Sequence, residues 1–595
     1  MKRSAIARSS TQPHLPQAFA THYGRAILAA LGLLGGVLAF LLSGDNTYRP
    51  AGVATWLIGV AGWGLACATR PSMPQQRLPM LPALLFIGAL GLGAFFHFHQ
   101  LADLPRDMNS DHAEKLLDVL DVLAGRTPIF FERNTGREPF QFYWTAALIR
   151  LLGLQPDFLA LKLGTALIGL LGLPAVFLLG RELWDWRAGA LAMAFAGVAS
   201  WGVLVQRFGL RAGLNATMVA WALWLTIRAL RSRSRNAMLG AGIAMGVGLQ
   251  GYSPFRFFPL VFTLLLIAQV LSSRRTMPRA ARELLAGAAV SLVMAALVAM
   301  PLLRYAADRP SMFFYRAATR LGEVEQPLPG PPLTILASNL ARAMLMFHAI
   351  GDETWVSNLQ YRPVLDPLLG ALLPMGVVMA VVRGLRRRDT LLAALPLTVL
   401  VLLLPSALSL AFPRENPSAG RAVGALPAVM VLCALPVAAL LARLSKRIGP
   451  LAGALAVSVV AAVTGLNYQR VFVDYAEQYC RRAQNASDIA HTIQRWVAAG
   501  HDPADAWLVG YPHWVDSRAV GVWLGDIHFK NVVGASVNLP DVSTVRLRSG
   551  KGLFILHPAD QASLGTLTAL YPTGRSVVME GALCDGREFI AFSVE

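Results

Sequence analysis

Long runs of apolar residues, separated by short polar segments, recur along most of the chain. Each run has roughly the 17–25 residues that a helix needs to cross the hydrocarbon core of a bilayer. The pattern therefore predicts a polytopic α-helical membrane protein with about 13 transmembrane helices. The predicted spans are residues 26–43, 51–69, 81–98, 158–179, 188–205, 213–230, 237–252, 257–271, 284–303, 364–382, 391–412, 424–441 and 451–466.

Two long polar segments, residues 98–157 and 304–363, interrupt this pattern and are predicted to be loops on the same side of the membrane. The first contains two amphipathic stretches, 113–124 and 140–152, and each is followed by a glycine that can end a helix. The second contains a proline-rich turn and then the stretch 333–350, whose apolar face predicts a helix lying on the membrane surface.

The composition changes after residue 466, where short β-prone runs alternate with amphipathic helical patterns. We expect helices at 488–499 and 559–571, and strands at 506–510, 531–535, 552–556, 576–579 and 588–594. The predicted organisation is therefore a cytoplasmic N-terminus with two extra transmembrane helices (1–80), a transmembrane module (81–466) and a small extracytoplasmic α/β domain (467–595).

The charge distribution predicts the orientation of the chain. The net charge is +19, although only 15% of residues are charged and 55% are hydrophobic. The basic residues concentrate in alternate short loops, which the positive-inside rule assigns to the cytoplasm. We therefore expect a cytoplasmic N-terminus and, with an odd number of spans, an extracytoplasmic C-terminus. Nucleic acid is excluded as a partner because no basic stripe alternates with aromatic residues.

The chain has four cysteines. Cys67 and Cys433 lie in apolar spans, where we expect them to be packing residues. Cys480 and Cys584 both lie in the C-terminal segment, and an extracytoplasmic location permits a disulfide between them. The spacing alone leaves that disulfide undecided.

Asp111 has two interpretations in the first loop. Glu114 follows it by three residues, as in a capping box, so Asp111 is interpretable as the start of the helix 113–124. Alternatively, a carboxylate at the mouth of a membrane cavity is placed to act as a general base. Spacing alone favours the cap.

The order of features in this loop resembles the first outer loop of the GT-C glycosyltransferases. A carboxylate (Asp111) is followed by a helix ending in Ala-Gly, a turn with proline, the pair Glu138-Pro139 and an aromatic amphipathic helix. The nearest resemblance is to glycosyltransferase family 39, which includes protein O-mannosyltransferases and the bacterial aminoarabinose transferase of lipid A. The likeness covers 81–303 well and the later spans loosely.

This resemblance implies that residues 81–466 form a GT-C-like catalytic module in which Asp111 is the catalytic carboxylate. Glu114 and Glu138 are the further acidic candidates of the loop. His112 stands where relatives often carry a second acidic residue, and the segment from Arg137 to Phe140 also departs from the usual pattern. These departures concern the donor and the acceptor more than the fold.

Four arginines lie at the outer ends of spans, where the positive-inside rule predicts few basic residues. They are Arg207, Arg211, Arg256 and Arg421. Guanidinium groups pair with phosphate through two hydrogen bonds, so we predict that they bind the phosphate of a lipid-linked donor. The alternative is that they extend to lipid headgroups. His112, Tyr143 and Tyr252 are predicted to contact substrate.

The sequence contains neither a glycine-rich nucleotide loop nor a His- or Cys-based metal motif. No cofactor is therefore certain, and a divalent metal held by Asp111 and a partner stays open.

The predicted function is inverting transfer of a sugar from a polyprenyl-phosphate donor to a hydroxyl of a lipid, glycan or protein acceptor. It is expected at the outer face of a bacterial inner membrane. A transporter or lipid flippase is the alternative, and a scaffold is a third possibility. Convergence of Asp111, Arg207, Arg211 and Arg256 on one cavity favours the enzyme.

Overall fold

The computed structural model describes residues 15–69, 79–274, 277–449, 451–534, 539–581 and 587–595. The helices of the membrane part and its loops are α1 (Leu15–Leu42), α2 (Pro50–Cys67), α3 (Met80–Phe98), α4 (Ser110–Leu123), α5 (Phe140–Leu152), α6 (Phe158–Leu183), α7 (Trp186–Val198), α8 (Ser200–Arg207), α9 (Ala212–Ser232), α10 (Arg235–Leu249), α11 (Phe258–Arg274), α12 (Pro278–Val298), α13 (Met300–Asp308), α14 (Pro310–Leu321), α15 (Pro332–Leu345), α16 (Pro367–Arg387), α17 (Thr390–Ala407), α18 (Ala419–Ala422), α19 (Leu426–Ile448) and α20 (Leu451–Tyr468). The C-terminal part contains α21 (Tyr475–Arg482), α22 (Ala486–Ala498), α23 (Ser517–Leu524), α24 (Gln561–Leu570), β1 (Ala506–Gly510), β2 (Val532–Gly534), β3 (Gly552–Leu556), β4 (Arg575–Met579) and β5 (Phe589–Val594).

Each predicted span coincides with a helix, which confirms a multi-pass helical membrane protein. Within the described residues, ten helices are long and apolar enough to cross a membrane, or eleven if the bent pair α7–α8 counts as one span. The two remaining predicted spans are α9, which carries Arg228 and Arg231 near its end, and α10, which has only 15 residues. The count of 13 crossings therefore stays a prediction.

Helices α1 and α2 form a hairpin whose backbones approach closely at glycines. A Cβ atom at Gly32 would lie 2.5 Å from the backbone nitrogen of Trp63, and one at Gly59 would lie 2.8 Å from that of Gly36. The indole of Trp56 donates to the carbonyl of Leu297 at 2.8 Å, which attaches the hairpin to α12. The two extra helices are thus a packed part of the membrane bundle.

The turn of this hairpin is hydrogen-bonded to the first long loop. The side-chain amide of Asn46 donates to the carbonyl of Phe130 and accepts from its N–H, both at 2.8 Å. The backbone N–H of Tyr48 donates to the carbonyl of Thr127 at 2.8 Å. The chain leading away from α4 is therefore held by the hairpin turn.

The C-terminal domain contains a five-stranded mixed sheet in the order β2-β1-β3-β5-β4. Strand β1 is parallel to β2 and β3, whereas β5 is antiparallel to β3 and β4. These strands and helices α22 and α24 lie where the periodicity predicted them, to within two residues at each end. The small α/β domain is therefore confirmed.

The chain enters this domain without a break in helical structure. Helix α20 continues through a π-helical turn (Gln469–Asp474) into α21, so that Leu451–Arg482 forms one long helical unit. The predicted boundary at residue 467 falls inside this unit, because hydropathy drops there while the helix goes on. Cys67 and Cys433 are free, Cys480 is disulfide-bonded, and Cys584 lies outside the described residues.

Candidate active site

Helix α4 begins at the residue after Asn109, and this start determines where Asp111 points. The side chain of Asn109 accepts from the N–H of His112, and Nδ1 of His112 accepts in turn from the N–H of Asn109 at 3.1 Å. This reciprocal pair is a capping box with histidine in place of the usual glutamate. The suggestion that Asp111 caps the helix is therefore wrong, because the side chain of Asn109 accepts the capping hydrogen bond.

Asp111 instead pairs with Lys115 one turn further along α4. Lys115 Nζ lies 2.8 Å from Oδ1 of Asp111, and the Asp111 side chain is 49% exposed whereas that of Lys115 is 5% exposed. Partial burial raises the pKa of Asp111, but the nearby ammonium outweighs this effect and brings the pKa to about 2. Asp111 is therefore ionised at neutral pH and presents a carboxylate at the surface of the loop.

Glu114 is held on both of its oxygens. Oε2 accepts from Arg137 and, at 2.7 Å, from the amide of Asn134, while Oε1 accepts from Arg518 of the C-terminal domain at 2.9 Å. Arg137 is fully buried and also donates to Asp118 at 3.2 Å. Burial acts to raise the pKa of Glu114, but its three donors hold the pKa below the usual range. Because three donors already occupy both of its oxygens, Glu114 is suited to holding neighbouring side chains in place.

Glu138 joins two of the predicted arginines. Its Oε2 accepts from Arg211 at 2.6 Å and its Oε1 accepts from Arg256 at 2.9 Å. The guanidinium of Arg256 also stacks over the ring of Phe313 at 3.8 Å, and its buried Nε has no hydrogen-bond partner among the described residues. Two cations thus share one buried carboxylate, which leaves an excess positive charge at this point.

The Asp111–Lys115 pair interacts electrostatically with Arg211, one of the two arginines bound to Glu138. Burial lowers the pKa of Lys115 to about 7, Asp111 opposes this shift, and the charges of Arg137 and Arg211 add to it. Tyr252 lies beside the same group, with the guanidinium of Arg211 5.7 Å from the centre of its ring. The structure therefore groups Glu138, Arg211, Arg256 and Tyr252, and the charge of Arg211 acts on Lys115, the partner of Asp111.

Arg207 is placed differently from Arg211. Its guanidinium is buried and donates to the carbonyls of Phe96 at 2.8 Å and of Gln100 and Leu104 at 3.2 Å. These carbonyls belong to the end of α3 and the start of the first loop, whose backbone would otherwise lack partners. Arg207 therefore bonds to backbone carbonyls in this structure, and its contact with phosphate stays a prediction.

Arg421 belongs to a second ion network. It donates to the hydroxyl of Ser409 and to the carboxylate of Glu415, which also accepts from Arg320 at 3.2 Å. The sequence placed Arg421 with the other arginines because all of them lie at the ends of spans. Its side-chain partners, Ser409 and Glu415, differ from the partner shared by Arg211 and Arg256.

The remaining predicted substrate residues are enclosed. His112 is fully buried, and its Nε2 donates to the carbonyl of Phe208 at 2.6 Å. Burial accordingly lowers the pKa of His112 to about 3. The hydroxyl of Tyr143 donates to the carbonyl of Pro128 at 3.0 Å, and its ring packs edge-on against Tyr48. His112 is thus closed to a substrate in this conformation, whereas the ring of Tyr143 is only partly buried.

Sequence reasoning missed Lys115, Arg137 and Arg518. Lys115 follows Asp111 by four residues, a spacing that places the two on one helix face and that should have drawn attention to it. Arg137 was noted only as a departure from the family pattern. Arg518 lies 404 residues from its partner, and no local signal indicates such a contact. Within the described residues, no group of three or more His, Cys, Asp or Glu side chains is arranged to hold a metal.

Comparisons with known proteins relate this fold to membrane-embedded glycosyltransferases. Residues 137–300 match a family model described as dolichyl-phosphate-mannose-protein mannosyltransferase. This segment includes Glu138, Arg211 and Arg256 but begins after Asp111. No curated protein sequence matches the chain.

Solved structures extend the likeness to most of the chain. The crystal structure of ArnT from Cupriavidus metallidurans bound to undecaprenyl phosphate is 16% identical, with a TM-score of 0.51 over 86% of this chain and 97% of that one. The archaeal oligosaccharyltransferase AglB from Archaeoglobus fulgidus is 13% identical, with a TM-score of 0.46 over 76% and 64% of the two chains. The predicted resemblance is confirmed: the chain has the fold of a GT-C membrane glycosyltransferase.

Proposed function

We propose that the protein transfers a sugar from a polyprenyl-phosphate donor to an acceptor hydroxyl at the outer face of the membrane. The observation that carries the proposal is the half-exposed carboxylate of Asp111, which pairs with Lys115, while Arg211, held with Arg256 on Glu138, acts electrostatically on that lysine. A base and a phosphate-binding group are the two elements that this reaction requires. The match to ArnT, a structure that holds undecaprenyl phosphate, supports the choice of donor class.

The chemistry follows from these charges. The acceptor hydroxyl attacks the anomeric carbon and its proton passes to the carboxylate of Asp111. The bond between the anomeric carbon and the phosphate oxygen breaks, and the polyprenyl phosphate leaves with the bonding electrons. Arg256, Arg211 and Lys115 stabilise the charge that develops on the phosphate. Attack from the face opposite the leaving group inverts the anomeric centre.

Glu138 has a different role from the one that resemblance assigned to it. Because both of its oxygens bind arginines, it orients the guanidinium groups and does not accept a proton. The unpaired Nε of Arg256 leaves a donor that a phosphate oxygen can use. Asp111 is thus the single exposed carboxylate of this group, and we assign the general base to it.

The proposal is tested by assaying the purified protein in liposomes with a panel of polyprenyl-phosphate sugars. Arg256→Lys keeps the charge and loses the paired hydrogen bonds, so we expect the donor KM to rise by roughly tenfold with a smaller change in kcat. Arg309→Lys is the matched control, because Arg309 pairs with Glu132 at a site where its side chain is 53% exposed. Movement of an intact donor across the membrane without transfer to an acceptor would favour the flippase alternative and overturn the proposal.

The pH dependence of donor use provides a second test. Since the pKa of Lys115 is about 7, this side chain is charged below neutral pH and loses its charge as the pH rises. We therefore expect kcat/KM for the donor to fall as the pH is raised through about 7, since that ratio reports the free enzyme. Lys115→Arg remains charged and should remove this fall. A Lys115→Arg protein with the parental inflection would show that another group titrates there.

A further inference from the structure

The C-terminal domain contacts α4 through a preoriented arginine. Arg518 lies in the first turn of α23, where its Nε and Nη2 donate to Asp516 at 3.0 and 2.7 Å. Its remaining Nη1 donates to Glu114 at 2.9 Å. Because Asp516 holds the guanidinium on one side, the group that reaches Glu114 has little freedom to turn away.

Glu114 links Arg518 to the first turn of α4, which also carries Asp111 and Lys115. It follows Asp111 by three residues and precedes Lys115 by one, so it lies in the same turn of the helix as both. Arg518 on one oxygen and Arg137 with Asn134 on the other fix the rotation of this turn. The directions of Asp111 and Lys115 depend on that rotation.

Residues of the C-terminal domain also bind the segment that precedes α4. The buried carboxylate of Asp107 accepts from the indole of Trp523 at 3.0 Å and from the backbone N–H of Ser487 at 3.2 Å. The hydroxyl of Tyr479 donates to the backbone carbonyl of Asp107 at 2.7 Å. Three donors from residues 479–523 thus fix the chain two residues before the capping Asn109.

An apolar core lies beneath these polar contacts. Buried residues of α4 and of the C-terminal helices belong to one continuous cluster. Its members from these helices include Ala113, Leu116, Val119, Ile489, Ile493, Ala519 and Val520. Such a shared core resembles the interior of a single domain more than a transient contact between two domains.

We propose that Arg518 is a positioning residue of the transferase site, which makes the C-terminal domain part of the catalytic unit. This inference rests on the proposed function. Arg518 touches neither the donor nor the acceptor. It acts through Glu114 by keeping the first turn of α4 in the orientation in which the carboxylate of Asp111 faces the acceptor. A small misplacement of a reacting group is enough to cost much of the rate.

The test is a double-mutant cycle on the full-length protein in liposomes. We expect Arg518→Ala to lower kcat by roughly tenfold per folded molecule while the donor KM changes by less than about twofold. Arg518→Lys should recover most of the rate, because an ammonium can still bond to Glu114. Once Glu114→Gln is present, Arg518→Ala should add little further loss, since the two changes break the same link.

Arg546→Ala is the matched control. Arg546 lies in the same domain, and among the described residues its guanidinium donates to the carbonyls of Ser543 and Val545. We expect it to transfer sugar at the parental rate. Parental kcat in Arg518→Ala, or rate losses that multiply fully in the double mutant, would overturn the inference and leave the proposed function standing.

Amide hydrogen exchange separates this inference from the function on which it rests. Arg518→Ala should speed exchange in residues 112–118 more than Arg546→Ala does, whatever the substrate is. If the parent transfers no sugar from any donor in the panel, the proposed function fails on its own. Faster exchange would then still establish that Arg518 positions α4, and unchanged exchange would overturn that link as well.

Discussion

Asp111→Asn should lower kcat by about 10²–10⁴-fold, with donor binding and folding retained, because asparagine keeps the shape of the side chain but accepts no proton. The structure makes this substitution a clean test. Asn109 caps α4, so the change at Asp111 removes no helix cap. The pair with Lys115 becomes a hydrogen bond from an ammonium to a neutral amide, and because loss of the carboxylate lowers the pKa of Lys115 further, donor binding is compared at acidic pH, where Lys115 stays charged.

The measurement is single-turnover transfer with saturating donor, together with donor affinity by direct binding. Asp121→Asn is a suitable control, since Asp121 lies on the same helix and pairs with the arginines Arg126 and Arg133 away from the reacting end. It should transfer sugar within a few-fold of the parental rate. An Asp111→Asn protein as fast as the parent would remove Asp111 from the mechanism.

Glu138→Gln should destabilise the folded protein by about 3–5 kcal/mol, the usual cost of removing one partner from a buried ion pair. The side chains of Glu138 and Arg211 are 2% and 6% exposed, and that of Arg256 is 21% exposed. Glutamine fills the same space but leaves both guanidinium groups without their counter-charge. For a chain of 595 residues this corresponds to a fall in Tm of roughly 2–4 °C in detergent.

Donor lipid gives this prediction a second readout. A bound phosphate supplies the missing negative charge, so polyprenyl phosphate should raise the Tm of Glu138→Gln more than that of the parent. Glu132→Gln is the comparison, because Glu132 is 34% exposed in its pair with Arg309 and should cost at most about 1 kcal/mol. Equal melting temperatures for Glu138→Gln and the parent would show that the carboxylate is not needed to hold the arginines.

Local patterns were sufficient to predict most of the secondary structure. The aromatic helix α5 has the predicted bounds and ends at Gly153, whose positive φ of 65° suits a residue without a side chain. Strands β1 and β3 also have the predicted bounds. In each case the periodicity and the terminating residue lie within the segment itself, so no distant contact was required to identify the element.

The site was predictable only in part, because its contacts join distant segments. Asp111 was chosen on the resemblance to GT-C glycosyltransferases, whereas Arg211 and Arg256 were singled out as charges placed against the apolar pattern. The same reasoning grouped Arg207 with them, although Arg207 serves backbone carbonyls 103–111 residues away. A guanidinium that binds carbonyls and one that faces a ligand look alike in sequence, and only the fold distinguishes them.

The hydrogen bonds of the first loop have a consequence for biosynthesis. Asn46 and Phe130 are 84 residues apart, whereas Arg518 and Glu114 are 404 apart. The early contact can therefore form while the ribosome is still producing the membrane helices. The late contact requires almost the whole chain to be made and its final part to reach the same side of the membrane. Completion of the first long loop is thus one of the last events in the maturation of the protein.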